Sequence, residues 1–192
     1  MCERENTVSD GELVRRLRAG DPDAFDRLFA KHRQGIFAYL RQRCGDAGLA
    51  EDVTQEVFVE LVRRLDRIDP RRGVSGWLYR VARNRMIDVM RHRRFETLPG
   101  EDFFLSAAQR PPTGEDRGPA AGLLAAERAE RLQRALATLP EKERDVLTMR
   151  YFGDLSFKEI AAATRRPLGT VLWQAHRAVR RLREQLEGEP EG

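Results

Sequence analysis

Helix punctuation recurs along this chain, and the period-two alternation of strands is nearly absent. Ser9 with Glu12 spells a capping box, in which a hydroxyl and a carboxylate satisfy backbone N–H groups that the first turn leaves open. The segment LVRRLRAG follows and closes at Gly20, a residue suited to the left-handed position after a helix. Asp21–Pro22 then places an N-cap before a proline at the first helical position, where its missing N–H costs nothing. The helix so begun carries Phe25, Leu28, Phe29, Ile36 and Leu40 before Cys44–Gly45. A third helix is expected from about Ala50 to Ile68, stopping at Asp69–Pro70, and the loop PRRGVSG leads into a fourth from Trp77 to about Arg93. Residues 8–95 therefore read as one all-α unit.

The same signals return in a second unit, residues 127–187. ERLQRALATL ends at Pro140, EKERDVLTMRYF ends at Gly153, and Ser156 with Glu159 caps SFKEIAAAT. A short break, RRP, precedes PLGTVLWQAHRAVRRL. Between the units, residues 96–126 hold four of the nine prolines and four of the fifteen glycines without sustained periodicity, which marks a linker. Its apolar patch, Phe103 to Leu105, hints at docking rather than an inert tether. The expected architecture is all-α: two small helical domains joined by a flexible acidic linker, a division that 192 residues allow.

Charge narrows the function classes. From Arg63 to Arg94, eleven arginines face Asp66, Asp69 and Asp88, a local balance of +8, whereas residues 96–126 carry two arginines against five acids. Arginine outnumbers lysine 32 to 3, as codon usage in a GC-rich genome would produce, but codon usage does not cluster the arginines. A strongly positive block implies a polyanionic partner. No run approaches the roughly eighteen apolar residues of a membrane span and no leader opens the chain, so no membrane insertion and a cytoplasmic location are expected. Cys2 and Cys44 lack metal-ligand spacing and are too few for a disulfide framework. No nucleophile–base pair or carboxylate cluster suits catalysis, so no enzyme, metal or cofactor is expected.

SFKEIAAATRRPLGTVLWQAHR has the spacing of a helix-turn-helix, with Ile160 and Ala161 at the crossing and Val171 ten residues on. Glycine is usual in such a turn; this chain has Arg165. At about 100° per residue, Leu168, Val171, Ala175, Val179 and Leu182 share one face of the second helix. Thr170, Gln174, Arg177 and Arg181 share the other with Trp173, and with Arg165 and Arg166 they suit phosphates and base edges. Three fates stay open for Trp173: contact with DNA, with a partner protein, or with its own domain.

In the first unit, Val53, Val57, Leu61 and Leu65 form a core stripe widened by Phe58 and Val62. Asp52, Gln55, Glu56 and Glu60 lie opposite with Val59 among them, either a solvated face or a docking ridge whose charges set register. In GWLYRVARNRMIDVMRHRR, Leu78, Ala82, Met86 and Val89 make the core, while Trp77, Arg80, Asn84, Asp88 and Arg91 share another face. An aromatic among arginines and an amide suits single-stranded nucleic acid, stacking for bases and charge for backbone.

AEDVTQEVFVELV, the Trp77 helix, LPEKERDVLTMRYFGDLSFKEIA and PLGTV stand in the order found in bacterial RNA polymerase sigma factors, and the chain resembles their short extracytoplasmic-function (ECF) subgroup. The resemblance implies that Asp52, Gln55, Glu56 and Val59 grip the β′ coiled coil of core polymerase, with the β subunit a further contact. It implies that Asn84 reads a flipped base of the −10 element, with Trp77, Arg80, Arg83 and Arg91 near the opened strands and Arg71 and Arg72 in the selecting loop. The second unit would bind the −35 element, the linker would thread the polymerase cleft, and an anti-sigma factor is an expected partner. Relatives often have phenylalanine near Val74, and the usual KSRLHRAR after GTV reads LWQAHRAV here, with Gln174 where a base-contacting arginine is common. A stand-alone helix-turn-helix regulator is the competing expectation, and it has no use for the ridge from Asp52 to Glu60. A nuclease would need metal-binding carboxylates from a second segment.

Overall fold

The computed structural model describes residues 8–96 and 131–188; among them every regular element is helical. Local chemistry sets the boundaries. Ser9 Oγ accepts from the Glu12 N–H at 3.3 Å and opens α1, Asp10–Arg18. Asp21 Oδ1 accepts from the Asp23 N–H at 3.1 Å and opens α2, Pro22–Cys44, which Gly45 ends in the left-handed region at φ 70°. α3 spans Ala47–Arg63, starting sooner and stopping earlier than its apolar pattern predicts. Asp46 caps it by accepting from the Leu49 N–H at 3.1 Å. Beyond it two 3₁₀ turns, Leu65–Arg67 and Pro70–Arg72, steer Ile68 into the core. The Arg18 guanidinium fixes that reversal by donating to the Leu65 carbonyl at 2.8 Å and to the Ile68 carbonyl.

α4, Ser75–Glu96, completes the first lobe. The second lobe holds helical residues 131–138 (α5), α6 at Glu141–Phe152, α7 at Phe157–Thr164 and α8 at Leu168–Gly188. The capping box on α7 is complete: the Glu159 carboxylate accepts from the Ser156 N–H at 2.8 Å while Ser156 Oγ accepts from the Glu159 N–H at 3.3 Å. The linker expected at 96–126, with Phe103 to Leu105, lies outside the described residues save for Glu96 at its edge.

The two lobes share a core. Val146, Met149, Leu155 and Ile160 of the second continue the cluster built by Tyr39, Leu40, Leu78, Tyr79 and Met86 of the first. α2 packs on α6, and α4 on α7. The fit across this seam is close: a Cβ at Gly35 would stand 2.3 Å from the Phe152 carbonyl oxygen, and one at Gly153 would stand 2.6 Å from Tyr79 Cζ. Tyr39 and Tyr79 meet edge to face at 5.4 Å.

A buried carboxylate locks the seam. Asp145 of α6 is 1% exposed and pairs with Arg43 of α2, with Arg83 of α4 at 3.4 Å and with Arg166 at 3.5 Å. The Tyr39 hydroxyl donates to it at 3.2 Å. Burial, and then the adjacent Asp145 charge, pushes the Tyr39 phenol far above its ordinary range.

Within the first lobe, Asp10 plays a similar part. Lys31 Nζ lies 2.6 Å and His32 Nε2 2.9 Å from its carboxylate, and Ser75 Oγ donates to it at 3.1 Å, so α1, α2 and the start of α4 converge there. Burial alone would raise its pKa, but the His32 and Lys31 hydrogen bonds and charges outweigh burial and hold it well below the usual carboxylate range. A depressed carboxylate stabilises above its unfolded pKa of about 4 and loses that contribution as pH falls toward the folded value. Asp10→Asn is expected to cost about 1.5–3 kcal/mol at pH 7. In urea unfolding, the gap between variant and parent should close progressively below about pH 4; a gap constant from pH 7 to 3 contradicts the assignment.

Candidate nucleic-acid interface

Three helical faces carry the residues singled out from sequence. On α3, Asp52, Gln55, Glu56 and Val59 all reach solvent along one ridge, Val59 at 48% exposure. Glu60 does not join them: it is buried and pairs with Arg64 one turn on. Val62, expected to widen the core, is instead 52% exposed and extends the ridge with Val59 beside Phe25, Phe29 and Phe58. Phe25 and Phe29 of α2 with Phe58, Val59 and Val62 of α3 line an apolar cleft that borders the ridge. The sequence pattern missed Val62 because a valine next to a leucine stripe looks like core from periodicity alone.

On α4, Asn84 and Arg91 are exposed, Arg91 3.3 Å from Asp88, and Trp77 and Arg80 are partly buried. Trp77 packs against the core, so its ring is anchored along one side. Arg83 turns away from this row to meet Asp145 across the seam. Val74 is fully in the core, and the backbone on either side of it lies against α7: Cβ atoms at Gly73, before it, and at Gly76, in the first turn of α4, would fall 3.6 and 3.7 Å from Glu159. Arg71 is exposed, its N–H donating to Asp69 Oδ1 at 3.0 Å; the Arg72 side chain is outside the described residues.

α7 and α8 form the helix-turn-helix, and Arg165 takes the left-handed turn conformation, φ 55° and ψ 40°, where glycine would be unstrained. The phase of α8 differs from the expected one. Val171, Gln174, Ala175 and Ala178 are buried, whereas Leu168 and Val179 are exposed. Ala178 is small enough to sit under Leu136 and Leu139, which rotates the helix so that Val179 leaves the core. Gln174, expected to face the groove, is 6% exposed and accepts from Arg166 Nη1 at 3.2 Å. Arg166 is thus divided among Gln174, Asp145 and the Lys142 carbonyl.

Trp173 does face outward, 54% exposed, with the Arg177 guanidinium 4.6 Å from its ring centroid. Arg177 and Arg181 lie 3.6 and 3.3 Å from Glu143, and Thr170 is exposed. His176 and Arg180 also line the outward arc, residues absent from the sequence phasing because Val179, rather than Ala178, has the apolar character of a core position. Among the described residues no helix is long and apolar enough to cross a membrane, and no group of three or more His, Cys, Asp or Glu is placed to hold a metal ion.

Comparison with known proteins identifies the family of the chain. Residues 28–96 match the family model for Sigma-70 region 2, and residues 129–182 that for Sigma-70, region 4. The chain is 34% identical over 188 residues to the ECF RNA polymerase sigma factor RpoE of Cereibacter sphaeroides, covering 97% of this chain and 99% of the relative. It is 29% identical over 182 residues to the ECF sigma factor SigW of Bacillus subtilis, covering 90% and 94%. Two solved structures share the fold. The sigma factor RpoE of Bartonella quintana, in complex with the anti-sigma factor NepR, has a TM-score of 0.70 at 20% identity over 86% of this chain and 98% of that one. CnrH, in complex with the cytosolic domain of CnrY, has a TM-score of 0.68 at 24% identity over 95% and 99%. With region 2 on the lobe of α3 and α4, region 4 on the helix-turn-helix and 34% identity to a relative over nearly the full length of both chains, the chain belongs to the ECF RNA polymerase sigma factors of the sigma-70 family.

Proposed function

We propose that this chain binds core RNA polymerase through the α3 ridge, opens and reads the −10 element with α4, and binds the −35 element with α8. The observation that carries the reading is the exposed ridge of Asp52, Gln55, Glu56 and Val59, which a free-standing DNA-binding regulator would not need. Acids around an exposed valine give an interface both register and apolar contact. Beside it, Asn84 and Arg91 with the anchored Trp77 offer amide, charge and stacking surface to an unpaired strand. Extruding a base costs a few kcal/mol, which a pocket and phosphate contacts can repay. Arg83 joins that surface once it leaves Asp145, and Gln174 stays a support for Arg166 unless α8 is repacked. The chain itself makes and breaks no bond. An anti-sigma protein is a fitting partner, since RpoE of Bartonella quintana, which shares the fold, is solved in complex with one.

Asn84→Ala is expected to weaken holoenzyme capture of a single-stranded −10 oligonucleotide about tenfold, the scale of one base contact, with core polymerase binding unchanged. Unchanged capture removes Asn84 from base reading. Trp173→Ala should lower affinity for a promoter-selected −35 sequence; unchanged affinity and selectivity remove Trp173 from the DNA surface.

A further inference from the structure

Along α8, three side chains able to hydrogen-bond a base edge, Gln174, Arg177 and Arg181, are engaged within the lobe, while Thr170 and His176 are exposed. Gln174 is buried against Arg166, Arg177 lies over Trp173 and near Glu143, and Arg181 lies near Glu143. Solvent meets Leu168 and Leu172, one turn apart, and Trp173 next to them, at 38%, 45% and 54% exposure. Large apolar side chains gathered on an outward face call for a partner. A Cβ at Gly169 would meet nothing within 4 Å, so a surface can approach the backbone between them. Arginines flank them: Arg165 is exposed in the turn, and Arg180 and Arg183 are exposed farther along, 3.6 and 4.0 Å from Glu184 and Glu187; the cationic turn favours a polyanion over an apolar protein groove. In the major groove, the base-edge group that answers an apolar side chain is the C5 methyl of thymine.

We propose that α8 selects its duplex by thymine methyl groups packed against Leu172 and Trp173, in place of an arginine hydrogen-bonded to guanine. This rests on the assignment of α8 to the −35 element. Deoxyuridine keeps every hydrogen-bonding atom of thymidine and lacks only the methyl, so it isolates the contact.

Holoenzyme assembled from the full chain and core polymerase is titrated with promoter fragments carrying thymidine or deoxyuridine in the −35 segment, the −10 segment unaltered. Affinity is expected to fall about fourfold for each contacted methyl removed. Leu172→Ala combined with Trp173→Ala should make the two fragments equal, and both side chains are exposed enough for the variant to fold. Equal binding of the two fragments by the unsubstituted protein overturns the methyl reading while leaving the −35 assignment standing. A thymidine preference that survives both substitutions overturns it as well. Binding indifferent to scrambling of the whole −35 segment overturns the assignment itself, and the inference with it.

Discussion

Asp145→Ala is expected to destabilise the closed arrangement of the two lobes by about 3–5 kcal/mol, the scale for removing one partner from a buried ion network. Three guanidinium groups, from Arg43, Arg83 and Arg166, lose their shared acceptor, and the Tyr39 hydroxyl is left buried with no partner in its place. Two of those arginines and the tyrosine belong to the first lobe, so the loss falls on the seam more than on either lobe alone. The backbone at Gly73 and Gly76 rests against Glu159 in the closed form, so parting the lobes exposes the start of α4. Small-angle scattering should show a larger radius of gyration for the variant, and thermal unfolding should split into two transitions. An unchanged radius and a single unshifted transition would mean that apolar packing alone holds the seam.

Val59→Arg combined with Asp52→Arg is expected to lower affinity for core polymerase by about 30-fold or more, the effect of losing one interfacial hot spot of about 2 kcal/mol. An added positive charge also reverses the sign of the ridge and so slows encounter. Both side chains are exposed, so folding stability should move by no more than about 0.5 kcal/mol. That separation matters: a loss of polymerase binding with an unchanged melting temperature assigns the residues to the interface, and binding within twofold of the parent removes them from it.

The all-α, two-lobed architecture was legible because caps and breakers are local. Ser9, Asp21, Gly45 and Ser156 act on backbone groups within a few residues, and each does so in the structure. The solvent-facing positions of α3 were legible for the same reason, since Asp52, Gln55 and Glu56 need no tertiary partner to be placed outward. The phase of α8 was not. It depends on Ala178 fitting beneath Leu136 and Leu139, a long-range packing choice that carries no signature in the helix's own periodicity. Nor was the fate of Gln174 or Arg83, polar residues that look solvent-bound until Asp145, far away along the chain, gathers Arg166 and Arg83 around itself.

Run-off transcription from genomic fragments, with purified core polymerase and the full-length chain, tests the central assignment most directly. Addition of the chain should produce transcripts from discrete start sites, each preceded by a shared pair of sequence elements, that core polymerase alone does not make. Start sites identical with and without the chain would contradict the account.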